Sequence, residues 1–237
     1  MKKTQIRNKT AEFGRTIRTA FPFTIPVLTG FLVLGIAYGV LMDTKGYGPL
    51  WSGLISATAF CGSMQFVAIT LLTTAFDPFQ ALLLSILVNA RHLFYGLSLL
   101  EKYKGLGWRR FFCIYTLCDE TFSVTSSIEP PKDINPGNFY LAVSMLNWAY
   151  WVIGSVLGGI LGKFITFNTS GLDFALTALF VVLLIEQISK TGNRIPAAIG
   201  ISATVVSLLI FKADNFVIPA MALILLSLVM GRKRMCH

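Results

Sequence analysis

Three short groups of polar residues lie inside otherwise apolar stretches of the chain. They fall within Phe60–Phe66, Asn89–Tyr95 and Cys118–Thr121. The candidate binding or coupling residues in these groups are Gly62, Ser63, Gln65, Asn89, Arg91, His92, Asp119 and Glu120. A guanidinium and two carboxylates among amide and hydroxyl groups can hold a solute that carries charges of both signs. The pattern therefore predicts a binding site for a small zwitterion.

Arg91 and Glu120 are predicted to lie deep within their apolar segments. Arg91 is ten residues before Glu101, and Glu120 is ten residues after Arg110; in a helix either interval spans roughly 15 Å. An ionisable group so far from water needs a partner or a hydrated cavity. Adjacent carboxylates do not both stay ionised in an apolar environment without a cation. We therefore expect Asp119 or Glu120 to pair with Arg91 and the other carboxylate to take up a proton.

The first polar group has two interpretations. Gly62 and Ser63 together can loosen a helix and free backbone groups to bind a polar solute. Gln65 is ten residues from the end of its segment at Ala75, which is roughly 15 Å along a helix and close to the middle of a membrane. In the alternative interpretation the helix is continuous, and Gln65 bonds a neighbouring helix.

The second and third groups can also be structural. Arg91 can form an ion pair that never contacts a solute, and His92 alone is typical of a neutral, hydrogen-bonded interior histidine. The pattern over 111–127 predicts one helix with a polar stripe made of Thr116, Glu120, Ser123 and Ser127. If that helix ends early, Asp119 and Glu120 are merely solvated in a loop. The apolar residues on both sides favour burial.

The elements that carry these groups are built for lipid rather than water. The chain is 54% hydrophobic and 13% charged, whereas a soluble domain carries about a quarter charged residues. Residues 19–42, 46–76 and 134–162 contain no Asp, Glu, Lys or Arg, and each stretch exceeds the roughly 20 residues that cross a bilayer. Shorter or interrupted apolar segments are 78–99, 111–127, 172–189, 195–211 and 215–231. We predict an all-α, polytopic transmembrane helix bundle of seven or eight membrane segments, some of them broken.

The basic residues flank these segments. They concentrate in 2–18, 102–110 and 232–234 and contribute to a net charge of +9, a pattern typical of cytoplasmic flanks beside anionic lipid and not of nucleic-acid binding. We predict one integral membrane transporter domain over residues 1–237, in which 1–18 is a basic cytoplasmic N-terminal segment. Four cysteines and two histidines form no metal-binding pattern. No metal and no cofactor are predicted.

The topology has two solutions. Eight simple crossings place both termini in the cytoplasm, but they put the basic loop 102–110 outside, against the charge rule. A re-entrant hairpin at 46–76 brings that loop inside and shifts every later loop, unless another segment is also broken. No convincing internal repeat is visible in the sequence, although inverted repeats in transporters often leave a weak signal.

Glycines are spaced for close helix contact. Gly154, Gly158 and Gly162 follow one another at four-residue spacing on one helix. The first span has Gly35 and Gly39 at the same spacing, with Gly30 nearby. Such faces let two backbones approach each other in lipid. The contact can form between copies of the chain or within one chain.

The polar groups also resemble a known family. The blocks F-C-G-S-M-Q-F at 60–66, N-A-R-H-L-F-Y-G at 89–96, D-E-T-F-S at 119–123 and L-D-F-A-L-T-A-L-F at 172–180 are similar, in sequence and order, to those of the AzlC family of branched-chain amino acid exporters. The resemblance implies efflux of leucine, isoleucine and valine, with methionine as a further candidate, driven by an ion gradient across a bacterial inner membrane. It also implies a separately encoded small membrane subunit of the AzlD type. The functional candidates it carries over are Gln65, Asn89, Arg91, His92, Asp119 and Glu120.

The leading hypothesis is secondary export of branched-chain amino acids coupled to protons or another ion. Uptake, or transport of another small solute, is the nearest alternative, because static residues do not set direction. An intramembrane enzyme that uses Asp119 and Glu120 is a distant alternative, since no nucleophile–base or metal arrangement accompanies them. A membrane scaffold without transport is the third. The chain is predicted not to be an enzyme.

Overall fold

A computed structural model describes residues 2–73, 77–164 and 194–215, with isolated positions between 181 and 230. The chain divides into two compact units, Met1–Thr169 and Ser170–His237, and each is described by itself. The helices are α1 (Lys2–Thr44), α2 (Pro49–Ala59), α3 (Gly62–Thr73), α4 (Pro78–Ser98), α5 (Arg109–Tyr115), α6 (Asp119–Ser127), α7 (Pro136–Gly162) and α8 (Arg194–Asn215). Every regular element in the described ranges is helical, which confirms the all-α prediction.

Three of the described helices are long and apolar enough to cross a membrane. They are Glu12–Thr44 within α1, Ala81–Ser98 within α4, and α7. Their lengths of 33, 18 and 27 residues compare with the roughly 20 residues that a bilayer needs. The chain is therefore an integral membrane protein of several helices. Most of the predicted segment 172–189 and about half of 215–231 lie outside the described residues, so the total number of segments stays a prediction.

Helices α1 and α7 run parallel to each other and form the centre of the first unit. Residue numbers rise together along both helices in their contacts, which are Arg15 with Asp133 just before α7, Phe23 with Phe139, Phe31 with Trp151, and Gly35 with Gly154. Both helices therefore begin at one end of the unit and finish at the other. We call the first the basic end, after Arg15 and the basic residues around it, and the second the opposite end.

Glycines make the crossing of α1 and α7 close. A Cβ atom at Gly39 would overlap the backbone of Ser155 and Gly159, and one at Gly158 would overlap the backbone of Ile36. The backbones touch because neither helix carries a side chain at the contact. The sequence left open whether glycines such as these pack between copies of the chain or within one chain. In the structure, Gly39 and Gly158 pack within one chain.

Helices α2 and α3 form a hairpin, here called the first hairpin (residues 49–73), that does not cross the unit. In order along the chain its contacts are Pro49 with Gly159, Ser56 with Ser155, Phe60 with Phe31, Gln65 with Trp151, and Leu72 with Tyr47. It thus enters from the opposite end, turns near the middle of α7 and returns. The turn at Phe60 has a φ of 24°, and it excludes the continuous helix that was the alternative for this segment.

Helices α5 and α6 form the second hairpin (residues 109–127), which enters from the basic end. Its contacts in chain order are Arg109 with Gly137, Phe112 with Trp148, Tyr115 with Ala57, Thr121 with Asn147, and Thr125 and Ser126 with Lys102. They run from the start of α7 to its middle and back. The Lys102 ammonium donates to the carbonyl oxygens of Thr125 at 3.0 Å and Ser126 at 2.8 Å, and it caps the last turn of α6.

The second hairpin corrects the prediction of one helix with a polar stripe over 111–127. Helix α5 ends at Tyr115, and α6 begins at Asp119. Cys118 between them is extended, with φ −130° and ψ −180°. The physical reason is that Asp119 and Glu120 occupy the first turn of α6, where carboxylates are stabilised by the positive end of the helix dipole.

Helix α4 runs antiparallel to α1. It starts after the first hairpin has returned to the opposite end, and Leu99, just beyond it, packs in the cluster around Ala20 and Ile134 at the basic end. Two stretches, 12–73 and 78–127, therefore each contain a long helix followed by a hairpin, in opposite orientations. This is the arrangement of an inverted repeat, which the sequence did not reveal.

Candidate functional site

Arg91 joins the tips of the two hairpins. From the middle of α4, its Nη1 donates a hydrogen bond to Asp119 Oδ2 at 2.5 Å, and its Nη2 donates to Ser63 Oγ at 2.7 Å. Ser63 lies in the first turn of α3, and Asp119 begins α6. The expected pairing of Arg91 with one of the two carboxylates is therefore present, and a residue from each hairpin contacts the same guanidinium.

Asn89 and Cys61 extend this contact between α4 and the first hairpin. The Cys61 thiol donates to Asn89 Oδ1 at 2.7 Å. Cys61 immediately precedes α3, so Asn89 and Arg91 hold the same turn by different atoms. Although they are two positions apart on α4, both side chains reach the tip of the first hairpin.

His92 does not join this cluster by a direct contact. Its Nδ1 lies 3.2 Å from the carbonyl oxygen of Asn89 in the same helix, and its ring packs edge-on against Tyr95. Since a carbonyl only accepts, the Nδ1 atom is the protonated nitrogen in this bond. The geometry matches the plainer interpretation of His92 as a hydrogen-bonded histidine within its own helix.

Gln65 is also separate from the charged cluster. It is 2% exposed; its Nε2 donates to Ser56 Oγ at 2.9 Å, and its Oε1 accepts from Trp151 Nε1 at 2.7 Å. Both ends of the amide are thus used in holding α3 against α2 and α7. The structure agrees with the interpretation in which Gln65 bonds neighbouring helices, although its own helix is not continuous.

The beginnings of α3 and α6 lie side by side near the middle of the unit. The first turn of a helix has backbone N–H groups without partners in the helix, and it carries partial positive charge. Gly62 starts α3 over the indole of Trp151, where a Cβ would lie 3.4 Å from the ring. The site therefore combines backbone donors, a guanidinium and a carboxylate.

The ion pair retains polar atoms without partners. Arg91 Nε and Asp119 Oδ1 are buried and have no hydrogen-bond partner within the described part of the chain. Glu120, beside Asp119, is half-buried and forms no salt bridge to any described residue. Arg91 Nε, Asp119 Oδ1 and the Glu120 carboxylate therefore take no part in the bonds that hold the hairpins to Arg91.

Residues 26–165 match the family described as AzlC protein, a range that covers more than half of the chain and contains both hairpins. The chain belongs to the AzlC family. A Bacillus subtilis protein named branched-chain amino acid transport protein AzlC is 45% identical over 226 residues, which are 95% of this chain and 89% of that protein.

More distant relatives also cover most of the chain. An uncharacterized membrane protein of Helicobacter pylori is 36% identical over 224 residues, 94% of this chain and 98% of its own length. The inner membrane protein YgaZ of Escherichia coli is 25% identical over 179 residues, 70% of this chain and 71% of its own. No solved structure matches the chain.

The sequence blocks that resemble the AzlC family form the site. Block 60–66 makes the tip of the first hairpin, block 89–96 lies on α4, and block 119–123 opens α6. Three stretches that are far apart in the sequence thus meet at Arg91. The fourth block, 172–180, lies outside the described residues.

One part of this candidate site was missed by sequence analysis. A polar stripe on α7 faces both hairpins, and it consists of Ser144, Asn147, Trp151 and Ser155. Asn147 is fully buried; its Nδ2 donates to Thr121 Oγ1 at 3.1 Å, and its Oδ1 has no partner among the described residues. The signal was present as polar residues at intervals of three and four in the charge-free stretch 134–162.

Proposed function

We propose that the chain is a secondary transporter that exports branched-chain amino acids across a bacterial inner membrane. The observation that carries the proposal is the bridge from Arg91 to Ser63 and Asp119, between two helix beginnings near the middle of the first unit, which we take as the depth of the membrane centre. In transporters, substrate sites typically lie where broken helices meet at this depth. The name of the Bacillus subtilis relative supports leucine, isoleucine and valine as substrates, with methionine as a further candidate.

A zwitterion fits the charges of this site. Its carboxylate would bind Arg91 and the backbone donors at Gly62 and Ser63, and its ammonium would bind Asp119. One ion pair is then replaced by two, so insertion of the amino acid leaves neither protein charge unpaired. An unpaired charge at the membrane centre costs about 2.5–3.5 kcal/mol on insertion scales, which favours a solute with both charges over a solute with one.

Glu120 is the candidate for ion coupling. Asp119 is engaged by Arg91, whereas Glu120 has no ion pair among the described residues. Two neighbouring carboxylates repel each other when both are ionised, so binding of an ammonium at Asp119 changes the electrostatic environment of Glu120. Protonation of Glu120 would then be linked to the presence of substrate. Asn89 and His92 remain candidates for positioning rather than for direct contact with the solute.

The proposed orientation places the basic end in the cytoplasm. That end contains Arg15, the loop with Lys102, and the start of the second hairpin at Arg109. Positive residues are enriched in cytoplasmic flanks, so the N-terminus is proposed to be cytoplasmic. We further propose that both compact units act as one transporter domain, together with a small membrane subunit of the AzlD type.

Counterflow in proteoliposomes tests this proposal. Protein reconstituted with its small subunit should exchange labelled leucine, isoleucine or valine for the same unlabelled amino acid, and a pH gradient should drive accumulation. Arg91→Ala should abolish exchange at equal membrane abundance, and Glu120→Gln should retain exchange but lose the effect of the gradient. Folded protein that exchanges none of these amino acids, nor methionine, would refute the substrate assignment.

The export direction needs a test in cells. Cells that express the protein and its small subunit should tolerate excess leucine or toxic leucine analogues better than cells with Arg91→Ala. Greater sensitivity than cells without the protein would indicate uptake instead.

A further inference from the structure

The two hairpins approach the candidate site from opposite ends. The first hairpin enters and leaves at the opposite end, and the second enters and leaves at the basic end. Their tips come within hydrogen-bond distance, because the Tyr115 hydroxyl donates to the carbonyl oxygen of Ala57. Each hairpin therefore lies between the site and one side of the membrane.

We infer that the two hairpins are the two gates of the transporter, and that Arg91 prevents them from opening together. The inference rests on the proposed transport function and adds which parts of the chain move. The first hairpin, when it moves away, exposes the site to the opposite end, and the second exposes it to the basic end.

The way the elements are attached indicates which of them move. Helices α1 and α7 are joined backbone to backbone along their crossing, where Gly39 and Gly158 leave no space. The first hairpin packs closely on α7 at its start, where a Cβ at Gly159 would lie 2.6 Å from the Cα of Pro49. Toward their tips the hairpins are held to α7 by side-chain hydrogen bonds, which are Ser56 to Ser155, Trp151 to Gln65, Trp148 to Ala57, and Asn147 to Thr121. Side-chain hydrogen bonds can be exchanged for water, whereas the close helix crossing cannot slide without steric overlap. Helices α1 and α7 are therefore the fixed part.

Arg91 makes the opening of the two gates mutually exclusive. Departure of the first hairpin breaks the bond from Nη2 to Ser63 but leaves the ion pair with Asp119. Departure of the second hairpin breaks the ion pair but leaves Ser63. If both left at once, the guanidinium would lose the ion pair and the hydrogen bond together, which costs more than the loss of either one. A pathway open to both sides, which would dissipate the gradient, is thereby avoided.

Two natural cysteines report on the gates. Cys61 immediately precedes α3 at the tip of the first hairpin, and Cys118 immediately precedes α6 at the tip of the second. Two variants would each retain one of these thiols, with the other cysteines replaced by serine. A membrane-impermeant thiol reagent is then applied to right-side-out and to inverted vesicles, with and without leucine.

Cys61 should react from the side of the opposite end, and Cys118 from the side of the basic end. Leucine should change the two rates in opposite directions. Reaction of both cysteines from the same side, or of neither in protein that performs leucine counterflow, would overturn the inference. Because labelling without leucine already tests the gates, it separates their failure from failure of the proposed substrate.

A cross-link tests the movement directly. The hydroxyl oxygens of Ser56 and Ser155 are 2.7 Å apart, so the double variant Ser56→Cys/Ser155→Cys can form a disulfide between the first hairpin and α7. Oxidation should abolish counterflow, and a reductant should restore it, while Cys118 still reacts from the basic end. The two single variants are the matched controls and should not respond to oxidant. Full counterflow by the cross-linked protein would show that the first hairpin is not a gate.

Discussion

Arg91 uses the shape of its side chain as well as its charge. The guanidinium presents donors in a planar fork, so two nitrogens can bind acceptors that lie in different directions. In this structure the two acceptors, Ser63 and Asp119, belong to different hairpins. A lysine at this position would keep the charge but concentrate it on one atom, and it would not reproduce both contacts.

The first prediction separates the structural part of this ion pair from its proposed binding role. Arg91→Gln and Asp119→Asn should each leave one charge without its partner and destabilise the fold by about 1–3 kcal/mol. The loss stays below that of a fully buried pair, because the two side chains are 39% and 35% exposed. The double variant removes both charges, so it should regain thermal stability but not counterflow.

The exposed pair of Lys104 and Glu101 provides the matched control. These side chains are 77% and 82% exposed at a separation of 3.7 Å, and such pairs contribute little to stability. Lys104→Gln and Glu101→Gln should therefore change neither melting temperature nor counterflow. Recovery of transport by the double variant at Arg91 and Asp119 would mean that the pair is only structural.

At the scale of elements, hydropathy locates apolar segments but does not say whether they cross. Residues 46–76 form a charge-free stretch of 31 residues, long enough for a span, yet it folds as two helices of 11 and 12 residues. A single span and a re-entrant hairpin both place apolar side chains in lipid and satisfy the backbone within helices. The turn distinguishes them, because Phe60 has a positive φ and a new helix, α3, begins at Gly62.

The same reasoning explains which site residues could be predicted. A charge such as Arg91 at mid-membrane requires a partner, so its pairing with a carboxylate followed from the sequence. The partners of Gln65 did not, because Ser56 and Trp151 are brought to it by the turn and by the packing of α7. Asn147 was missed because an amide within a long span indicates contact with another helix but does not identify which helix it contacts.

The second prediction concerns the crossing of α1 and α7. Gly39→Ala adds a methyl group where Ser155 and Gly159 already touch the helix, and overpacking of this kind costs about 1–3 kcal/mol. We expect a clear fall in melting temperature in detergent. Gly30→Ala is the control on the same helix, since its added Cβ meets no atom within 4 Å. A similar loss at both positions would imply that α1 and α7 do not cross at Gly39.

At the scale of the molecule, two hairpins resolve the conflict between the span count and the charge rule. One re-entrant segment in place of a span reverses every loop that follows it. A second re-entrant segment returns the later loops to the sides that they have with eight simple crossings. Only the loops between the two hairpins then lie on the other side of the membrane. The basic loop at 102–110 is in this interval, and the structure brings it to the same end as the basic N-terminal part of α1.

The third prediction tests this topology in the intact protein. With two hairpins, the loop at Lys104 lies on the same side as the loop at Lys132, and Asp77 lies on the same side as Lys45. With eight simple crossings, Lys104 and Lys132 lie on different sides, and so do Asp77 and Lys45. Single cysteines at these four exposed positions, in a cysteine-free background, should therefore react with an impermeant reagent in two pairs.

The pairing is decisive because it does not depend on the orientation of the N-terminus. If Lys104→Cys instead reacts together with Lys45→Cys, the first hairpin is a span, and α4 then runs parallel to α1.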